Sequence, residues 1–399
     1  MKTFVSFINQ SVSSNYPESK LSKLSIVTIW SSVINILYVG AALGSFSVSY
    51  VAQHFGRKVS LFIISNSFTV MGSFCMAASL FTNRFELMLV GRLLAGITTG
   101  FSMGLIPVFI TEVSPVSMLG ILGEFQNLFV TFSTLIGVIL SLPSMLGSSD
   151  RNYKLIYLLC VPVIPALLQL ALMRCYPETP KYLIIHRNDA EAAVNSLKFY
   201  HGADVNVKDW LEQVASEDAL TEGTHSFSVL SIWRNRNLRF PVITMSIIIP
   251  IGLLCSGIMS LFNYSETLFE QLGLRQNTSQ LGTVAMSGLN LLGAVIAIPI
   301  VSRFRRRTLF IGGLLILWVC NVALVLFNLL HKYYNAKWMA YLSLAAVVSN
   351  VTLFNIGPGA IGWFVSAEMS PQEVRLVALI IVCKNVRNIV VLLAIYVQQ

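Results

Sequence analysis

The chain has 399 residues, of which 55% are hydrophobic and only 11% are charged, and its mean hydropathy is +0.71. Charged residues make up about a quarter of a soluble domain, so this composition excludes an ordinary soluble protein and predicts an all-α polytopic membrane protein embedded in the lipid bilayer. The net charge of +9 does not indicate nucleic acid as a partner, because the basic residues are neither gathered on one face nor interleaved with exposed aromatic residues.

Ten apolar runs have about the 20-residue length of a membrane-spanning helix. Five of them precede and five follow a polar segment that holds most of the acidic residues. We therefore predict a first membrane bundle at 28–175, a cytoplasmic helical linker at 176–239 and a second membrane bundle at 240–399. If the first run crosses from outside to inside, most lysines and arginines lie in cytoplasmic loops, as topology rules require. The runs are 28–53, 59–82, 86–111, 122–146, 154–174, 240–264, 280–301, 308–330, 340–366 and 376–397.

Two pairs of motifs occur in the same order in the two halves, which indicates an internal repeat. The basic turn HFGRKVSLF follows the first run, and SRFRRRTLF follows the seventh. Likewise ITEVSPVSMLG after the third run matches SAEMSPQEVRL after the ninth, and in each an acidic residue, Glu112 or Glu368, comes two residues before Ser-Pro. We therefore predict two pseudo-symmetric helix bundles.

The ninth run contains NIGPGAIGWF, residues 355–364. Proline and glycine disfavour a helix interior, and in lipid the freed backbone groups are tolerated only where they are buried in protein or line a cavity. We therefore predict a helix hinge at Gly357, Pro358 and Gly359 beside a central cavity.

Motifs of catalysis are missing from the sequence. It has neither a phosphate-binding P-loop nor an H-E-x-x-H zinc pair, its five histidines do not cluster, and its six cysteines lack metal or redox spacing. We therefore expect no enzymatic activity, no metal and no cofactor.

The motifs GSFSVSYVAQHFGRK, VGRLLAGITTG, PVFITEVSP, PETPKYLI, IGPGAIGWF and SAEMSPQEVR together resemble the sugar porter family of the major facilitator superfamily, and within it the animal facilitative hexose transporters. The resemblance implies a twelve-helix fold, alternating access and a multi-pass protein of the plasma membrane. The ten runs correspond to family helices 2 to 11. We accordingly expect this chain to be truncated, without helices 1 and 12, and residues 1–27 to form the extracellular loop after helix 1.

The resemblance also implies a solute site in which polar side chains bond sugar hydroxyls. One family glutamate is replaced by Asn355, and three amides of helix 7 are replaced by Leu253, Leu254 and Met259. The candidate site residues are Gln126, Asn127, Asn290, Phe354, Asn355 and Trp363.

These residues favour facilitative transport of a hexose such as glucose, and two alternatives stay open. The chain is either a family member without transport, acting as a sensor or partner subunit, or a transporter of another solute. An anion is one such solute, and Lys384 and Arg387 in the last run would then contact it.

A cytoplasmic charge network that holds the outward-facing state is a further implication of the resemblance. Substitutions in its motifs, among them Gln53, His54, Leu119, Ser302 and Arg305, predict a weakened latch, and the alternative is that the arginines merely lie in water. The sequence also predicts N-glycosylation at Asn9 and Asn277. The network candidates are Arg57, Arg92, Glu112, Glu178, Arg306, Glu368 and Arg375.

Overall fold

A computed structural model of the chain describes residues 23–115, 118–147, 152–219, 276–334 and 337–362, with isolated positions between 7 and 14 and between 252 and 269. All regular secondary structure in these described residues is helical. The reason is physical: in hydrocarbon a backbone must satisfy its own hydrogen bonds, and an α-helix does so within one segment.

The first half contains six helices in the described ranges. A wider π-helical turn at Ser60–Ser65 lies near the start of the second of them, and Val161 and Pro162 separate the last two. The helices are α1 (Lys23–Phe55), α2 (Arg57–Thr82), α3 (Phe85–Val113), α4 (Leu119–Leu140), α5 (Asn152–Cys160) and α6 (Val163–Leu172).

Within the described ranges, three short helices follow, and four further helices belong to the second half. Asp189 caps the second of these short helices by accepting a hydrogen bond from the Ala192 N–H at 3.0 Å, as an N-cap residue should. The helices are α7 (Pro180–Ile185), α8 (Ala190–His201), α9 (Val207–Ala219), α10 (Gln276–Arg303), α11 (Arg306–Tyr334), α12 (Lys337–Ile356) and α13 (Pro358–Gly362).

Eight of the ten predicted runs coincide with described helices, which confirms the all-α fold class. Among the described residues, six stretches are long and apolar enough to cross a membrane, and α1 and α12 contribute shorter apolar segments. The structure differs from the prediction at Leu140, where α4 ends six residues early, and at Pro162, which interrupts the fifth run. The runs at 240–264 and 376–397 lie largely or wholly outside the described residues.

Helices α1 and α3 cross through glycines. A Cβ placed on Gly40 would lie 2.1 Å from the Leu93 carbonyl oxygen, and one on Gly96 would lie 2.1 Å from the Leu37 carbonyl oxygen. Four residues further along each helix, Gly44 and Gly100 make similarly close approaches. Small residues at this spacing let two membrane helices touch backbone to backbone.

The two halves meet where α4 packs against α10, and α12 in turn packs against α10 and α11. The outer faces of the helices carry exposed large apolar side chains such as Phe74, Phe129 and Trp318. An apolar exterior of this kind suits contact with lipid rather than water.

The predicted helix break is present. Helix α12 ends at Ile356 and α13 begins at Pro358, because proline lacks the N–H that would continue the ladder. At the break α11 comes close, since a Cβ on Gly357 would lie 3.1 Å from the Leu309 carbonyl oxygen and one on Gly313 would lie 2.6 Å from Pro358 Cδ. Motion at this break stays a prediction.

Candidate functional site

Three asparagines from three helices form a connected set, which we call the amide chain: Asn127 of α4, Asn290 of α10 and Asn355 of α12. Asn127 Nδ2 donates to Asn355 Oδ1 at 3.3 Å. Asn355 Nδ2 in turn donates to the Asn290 backbone oxygen at 3.1 Å and to Asn290 Oδ1. Because α4 belongs to the first half and the other two helices to the second, the amide chain joins the two halves.

Two members of the amide chain are buried, with only 4% of Asn290 and 2% of Asn355 exposed, and Asn127 is half-buried. Beside it on α4, Gln126 Oε1 is buried and has no hydrogen-bond partner among the described residues. Amide side chains offer both donors and acceptors, as hydroxyl groups do. A polyhydroxy solute could therefore exchange its bonds with water for bonds with these amides, which offsets the cost of its desolvation.

Phe354 occupies a different environment from its neighbour Asn355. It packs against an apolar cluster in the second half that includes Met286, Val347 and Val351, and its ring would lie 2.5 Å from a Cβ on Gly359. Phe354 thus fills the core next to the helix break. Trp363, the remaining predicted solute contact, lies outside the described residues.

A second polar network links α11 and α12 to residues 256–258. Asn321 Nδ2 donates to the Ser256 backbone oxygen at 2.9 Å, and Asn350 Nδ2 donates to Asn321 Oδ1 at 2.9 Å. The next residue, Gly257, has a φ of +70°, which L side chains rarely adopt. The replaced family positions Leu253, Leu254 and Met259 are outside the described residues.

At the ends of α2 and α3 lies a compact set of charged and polar side chains, which we call the charge cluster. Arg57 Nη2 lies 3.2 Å from Glu112 Oε1, and only 4% and 0% of the two side chains are exposed. Thr179 Oγ1 donates to Glu112 Oε2 at 2.7 Å. The Arg57 guanidinium also lies 4.9 Å from the centre of the Tyr182 ring, within cation–π range.

Glu178 completes the charge cluster by capping α2. Its carboxylate accepts hydrogen bonds from the Lys58 backbone N–H at 2.9 Å and the Thr179 backbone N–H at 3.0 Å, and an anion at a helix N-terminus is stabilised by the unpaired N–H groups there. Burial raises the pKa of the Glu178 carboxyl, while these two bonds and the charge of Arg57 oppose that rise. Burial, followed by the nearby Glu178, raises the pKa of Tyr200 to about 12.

Comparison with known proteins decides the family. The family model described as "Sugar (and other) transporter" matches residues 1–397. The chain belongs to the sugar transporter family. Facilitated glucose transporter member 1 of Gallus gallus is 31% identical over 359 residues, which cover 90% of this chain and 71% of the relative. Member 3 of Canis lupus familiaris is 31% identical over 386 residues, covering 96% and 75%.

Solved structures show the same fold for this sugar transporter family member. The proton:xylose symporter XylE bound to 6-bromo-6-deoxy-D-glucose superposes with a TM-score of 0.79 at 22% identity, covering 98% of this chain and 83% of that one. A partially occluded inward-open form of XylE from E. coli gives a TM-score of 0.73 at 20% identity, covering 98% and 85%. The chain is therefore a multi-pass membrane transporter of the major facilitator fold, and not an enzyme.

Within this family member the structure brings together Arg57, Glu112 and Glu178 of the predicted charge network, but it does not bring Arg92 to them. Arg92 is the eighth residue of α3 and Glu112 is near its other end. Twenty residues of α-helix separate them by about 30 Å along the axis, so placing Arg92 in the cytoplasmic network was wrong. Arg306 begins α11, and Glu368 and Arg375 lie outside the described residues.

Two polar features of the transporter were missed in the sequence. Asn321 and Asn350 link α11 and α12 to residue 256, and Glu124, one turn before Asn127 on α4, is buried. Each is a polar residue inside an apolar run, and that is the signal that would have found them, because polar groups at membrane depth are costly unless they have a partner or a role.

Gly56 makes the charge cluster possible, and its replacement provides a test. Its φ is +92°, and a Cβ there would lie 2.4 Å from Glu178 Oε2. Backbone strain of this kind typically costs roughly 1–3 kcal/mol. We expect Gly56→Ala to lower the free energy of unfolding by more than that, because the Glu178 carboxylate must also leave its two N–H donors. Thermal unfolding of the purified protein in detergent measures this loss.

Gly202 provides the control for this prediction. It has the same φ of +92° and nearly the same ψ, 166° against 165°, but nothing lies within 4 Å of its Cβ position. Gly202→Ala should therefore cost the backbone strain alone. Equal losses for the two variants would contradict a role for Gly56 in seating Glu178.

Proposed function

We propose that this chain carries a hexose such as glucose across the plasma membrane by alternating access, down the gradient of the sugar. The observation that carries the proposal is the amide chain, which brings neutral hydrogen-bonding groups from both halves into direct contact. Two relatives are named as facilitated glucose transporters, and the XylE structure holds a glucose derivative. Both support a sugar as the solute.

The amide chain also suggests how binding and opening are linked. The bond between Asn127 and Asn355 is a side-chain hydrogen bond between the halves, and it must break for the cavity to open. A sugar hydroxyl that accepts from Asn127 and donates to Asn355 replaces that bond without leaving either amide unpaired. The halves can then close again over the solute, because each buried polar group keeps a partner.

The charge cluster lies at the ends of α2 and α3 and contacts the segment before α7. We propose that it sets the position of the first half at the cytoplasmic face. Its Arg57–Glu112 pair lies within one half, between α2 and α3, so it fixes that half as a rigid body.

The family relation also supports N-glycans at Asn9 and Asn277, which enzymatic deglycosylation followed by electrophoresis would detect.

Uptake of labelled glucose by the purified chain in lipid vesicles tests the proposal directly. Uptake above that of empty vesicles, inhibited by excess unlabelled glucose, is expected. Uptake equal to that of empty vesicles from correctly inserted protein would instead favour a family member without transport. Uptake of an anion but not of glucose would favour a transporter of an anion. The Lys384→Leu/Arg387→Leu variant should then abolish the uptake of that anion.

Removing the central amide provides a site-specific prediction. We expect Asn355→Leu to reduce glucose uptake about tenfold or more, because at least two hydrogen bonds in the cavity are lost at roughly 0.5–1.5 kcal/mol each. Initial uptake rates at equal amounts of inserted protein measure the effect. Asn195→Leu is the control, since Asn195 is an exposed asparagine on α8 and should leave the rate unchanged. Wild-type uptake by Asn355→Leu would remove Asn355 from the site.

A further inference from the structure

Glu124 is a buried acidic residue inside a membrane-spanning helix. It lies on α4, only 2% of its surface is exposed, and its Oε2 atom has no hydrogen-bond partner in the part of the chain that the structure describes. Asn127 is three residues further along α4, so the two side chains lie on the same face of the helix. Glu124 therefore places one acidic group next to the amide chain.

The charged groups on α3 do not compensate Glu124. The end of α3 and the start of α4 are joined by a short loop, so both lie at the same membrane face. Glu124 is about 8 Å from that face and Arg92 about 30 Å, at 1.5 Å per residue, so more than 20 Å of helix separates them; Glu86 lies further still. Glu112 lies at the face itself, but it is already bonded to Arg57 and Thr179.

Among the described helices, α10, α13 and, through Asn355, α12 also approach α4. Arg303 is the exposed last residue of α10, about 20 Å along the axis from Asn290, and Lys337 is the first residue of α12, about 27 Å from Asn355. Helix α13 carries no titratable side chain. Within the described part of the chain, no cation lies beside Glu124.

An ionised carboxylate in a dry membrane interior without a cation is strongly disfavoured, and such a group takes up a proton instead. We infer that Glu124 is a proton-binding residue of the transport cycle, which holds a proton while the amide chain is intact and releases it when water enters the cavity beside Asn127. This inference rests on the proposed transport function. On release the O–H bond of the carboxyl breaks, the proton passes to water, and the electron pair stays on the carboxylate.

Loss of the proton also acts on the contact between the halves. An ionised carboxylate attracts an amide N–H more strongly than a neutral carbonyl oxygen does. Deprotonated Glu124 therefore draws the Asn127 side chain toward itself and weakens the 3.3 Å bond between the halves. The solute still moves down its own gradient at equal pH on both sides, and a proton gradient adds to the driving force.

Infrared spectroscopy of the purified chain in lipid tests proton binding without any transport. We expect the wild type to show the carbonyl band of a protonated carboxyl group at neutral pH, and Glu124→Gln to lack it. Glu191→Gln, which alters an exposed glutamate on α8, should keep the band. The same band in wild type and Glu124→Gln would overturn the inference. If Glu124→Gln does not insert, Glu124→Leu serves in its place.

Uptake with and without an inward proton gradient provides the second readout. Wild-type vesicles should take up glucose several-fold faster with the acidic side outside than at equal pH, whereas the ratio for Glu124→Gln should be one. A wild-type ratio of one, with clear uptake at equal pH, would overturn the inference while leaving the transport function intact. If the wild type takes up no glucose at all, the transport function fails, and the infrared result alone decides whether Glu124 binds a proton.

Discussion

Replacing Glu112 by alanine is expected to lower the free energy of unfolding by about 3–5 kcal/mol, the usual cost of breaking a buried ion pair by removing one partner. The loss is large because Arg57, whose side chain is only 4% exposed, would remain charged and buried without its carboxylate. Thr179 Oγ1 would lose its acceptor as well. Denaturant unfolding in detergent micelles, followed by tryptophan fluorescence, measures the change.

Two variants make this result specific to the pair. Glu212→Ala removes the same charge from an exposed position on α9 and should change stability by less than about 0.5 kcal/mol. Arg57→Met/Glu112→Leu removes both charges and should recover most of the loss, since apolar replacement of a whole buried pair is often neutral. A small effect of Glu112→Ala, similar to that of Glu212→Ala, would show that water reaches Arg57.

Helix positions in this protein were largely predictable, because a backbone in lipid must satisfy its hydrogen bonds within the protein and an α-helix does so within one segment. Apolar runs near 20 residues long form helices, because a helix satisfies its own backbone hydrogen bonds in hydrocarbon. One of these helices ends at the Gly357–Pro358 step, because proline has no N–H with which to continue the helix. The interruption at Pro162 was not predicted. The residues around Pro162 are apolar on both sides, and hydropathy does not register a single missing N–H.

For the candidate site, the sequence suggested residues but not the contacts between them. Motif resemblance chose Asn127, Asn290 and Asn355 one by one, but the bond between Asn127 and Asn355 joins positions 228 residues apart. This bond depends on how α4 packs against α10 and how α10 packs against α12, which no local sequence pattern predicts. Arg92 shows the converse error, because its motif position suggested the charge cluster and the length of α3 rules it out.

Glu124 was overlooked for a related reason. One acidic residue barely changes the mean hydropathy of the run at 122–146, so the run is still predicted as a membrane helix. The energetic cost of that one residue is nevertheless large. For polytopic proteins, the polar exceptions within apolar runs carry more functional information than the runs themselves, and here they include the amide chain and Glu124.

The crossing of α1 and α3 provides the second large effect. We expect Gly96→Val to lower the free energy of unfolding by about 3 kcal/mol or more, at or above the upper end for overpacking. A Cβ at Gly96 would stand 2.1 Å from the Leu37 carbonyl oxygen and 2.9 Å from the Gly40 Cα. Both neighbours are backbone atoms, so no rotamer change relieves the clash and the two helices must separate. Thermal unfolding in detergent measures the loss.

The matched control lies on α4, where nothing is within 4 Å of a Cβ at Gly137. Gly137→Val should leave stability within about 0.5 kcal/mol of wild type, because valine is slightly better than glycine in a helix and points into open space. If Gly96→Val proves as stable as Gly137→Val, the helices do not cross at backbone contact. If it is destabilised as expected, uptake should fall with it, because α1 ends beside Gly56 and a displaced α1 also displaces Arg57 from Glu112.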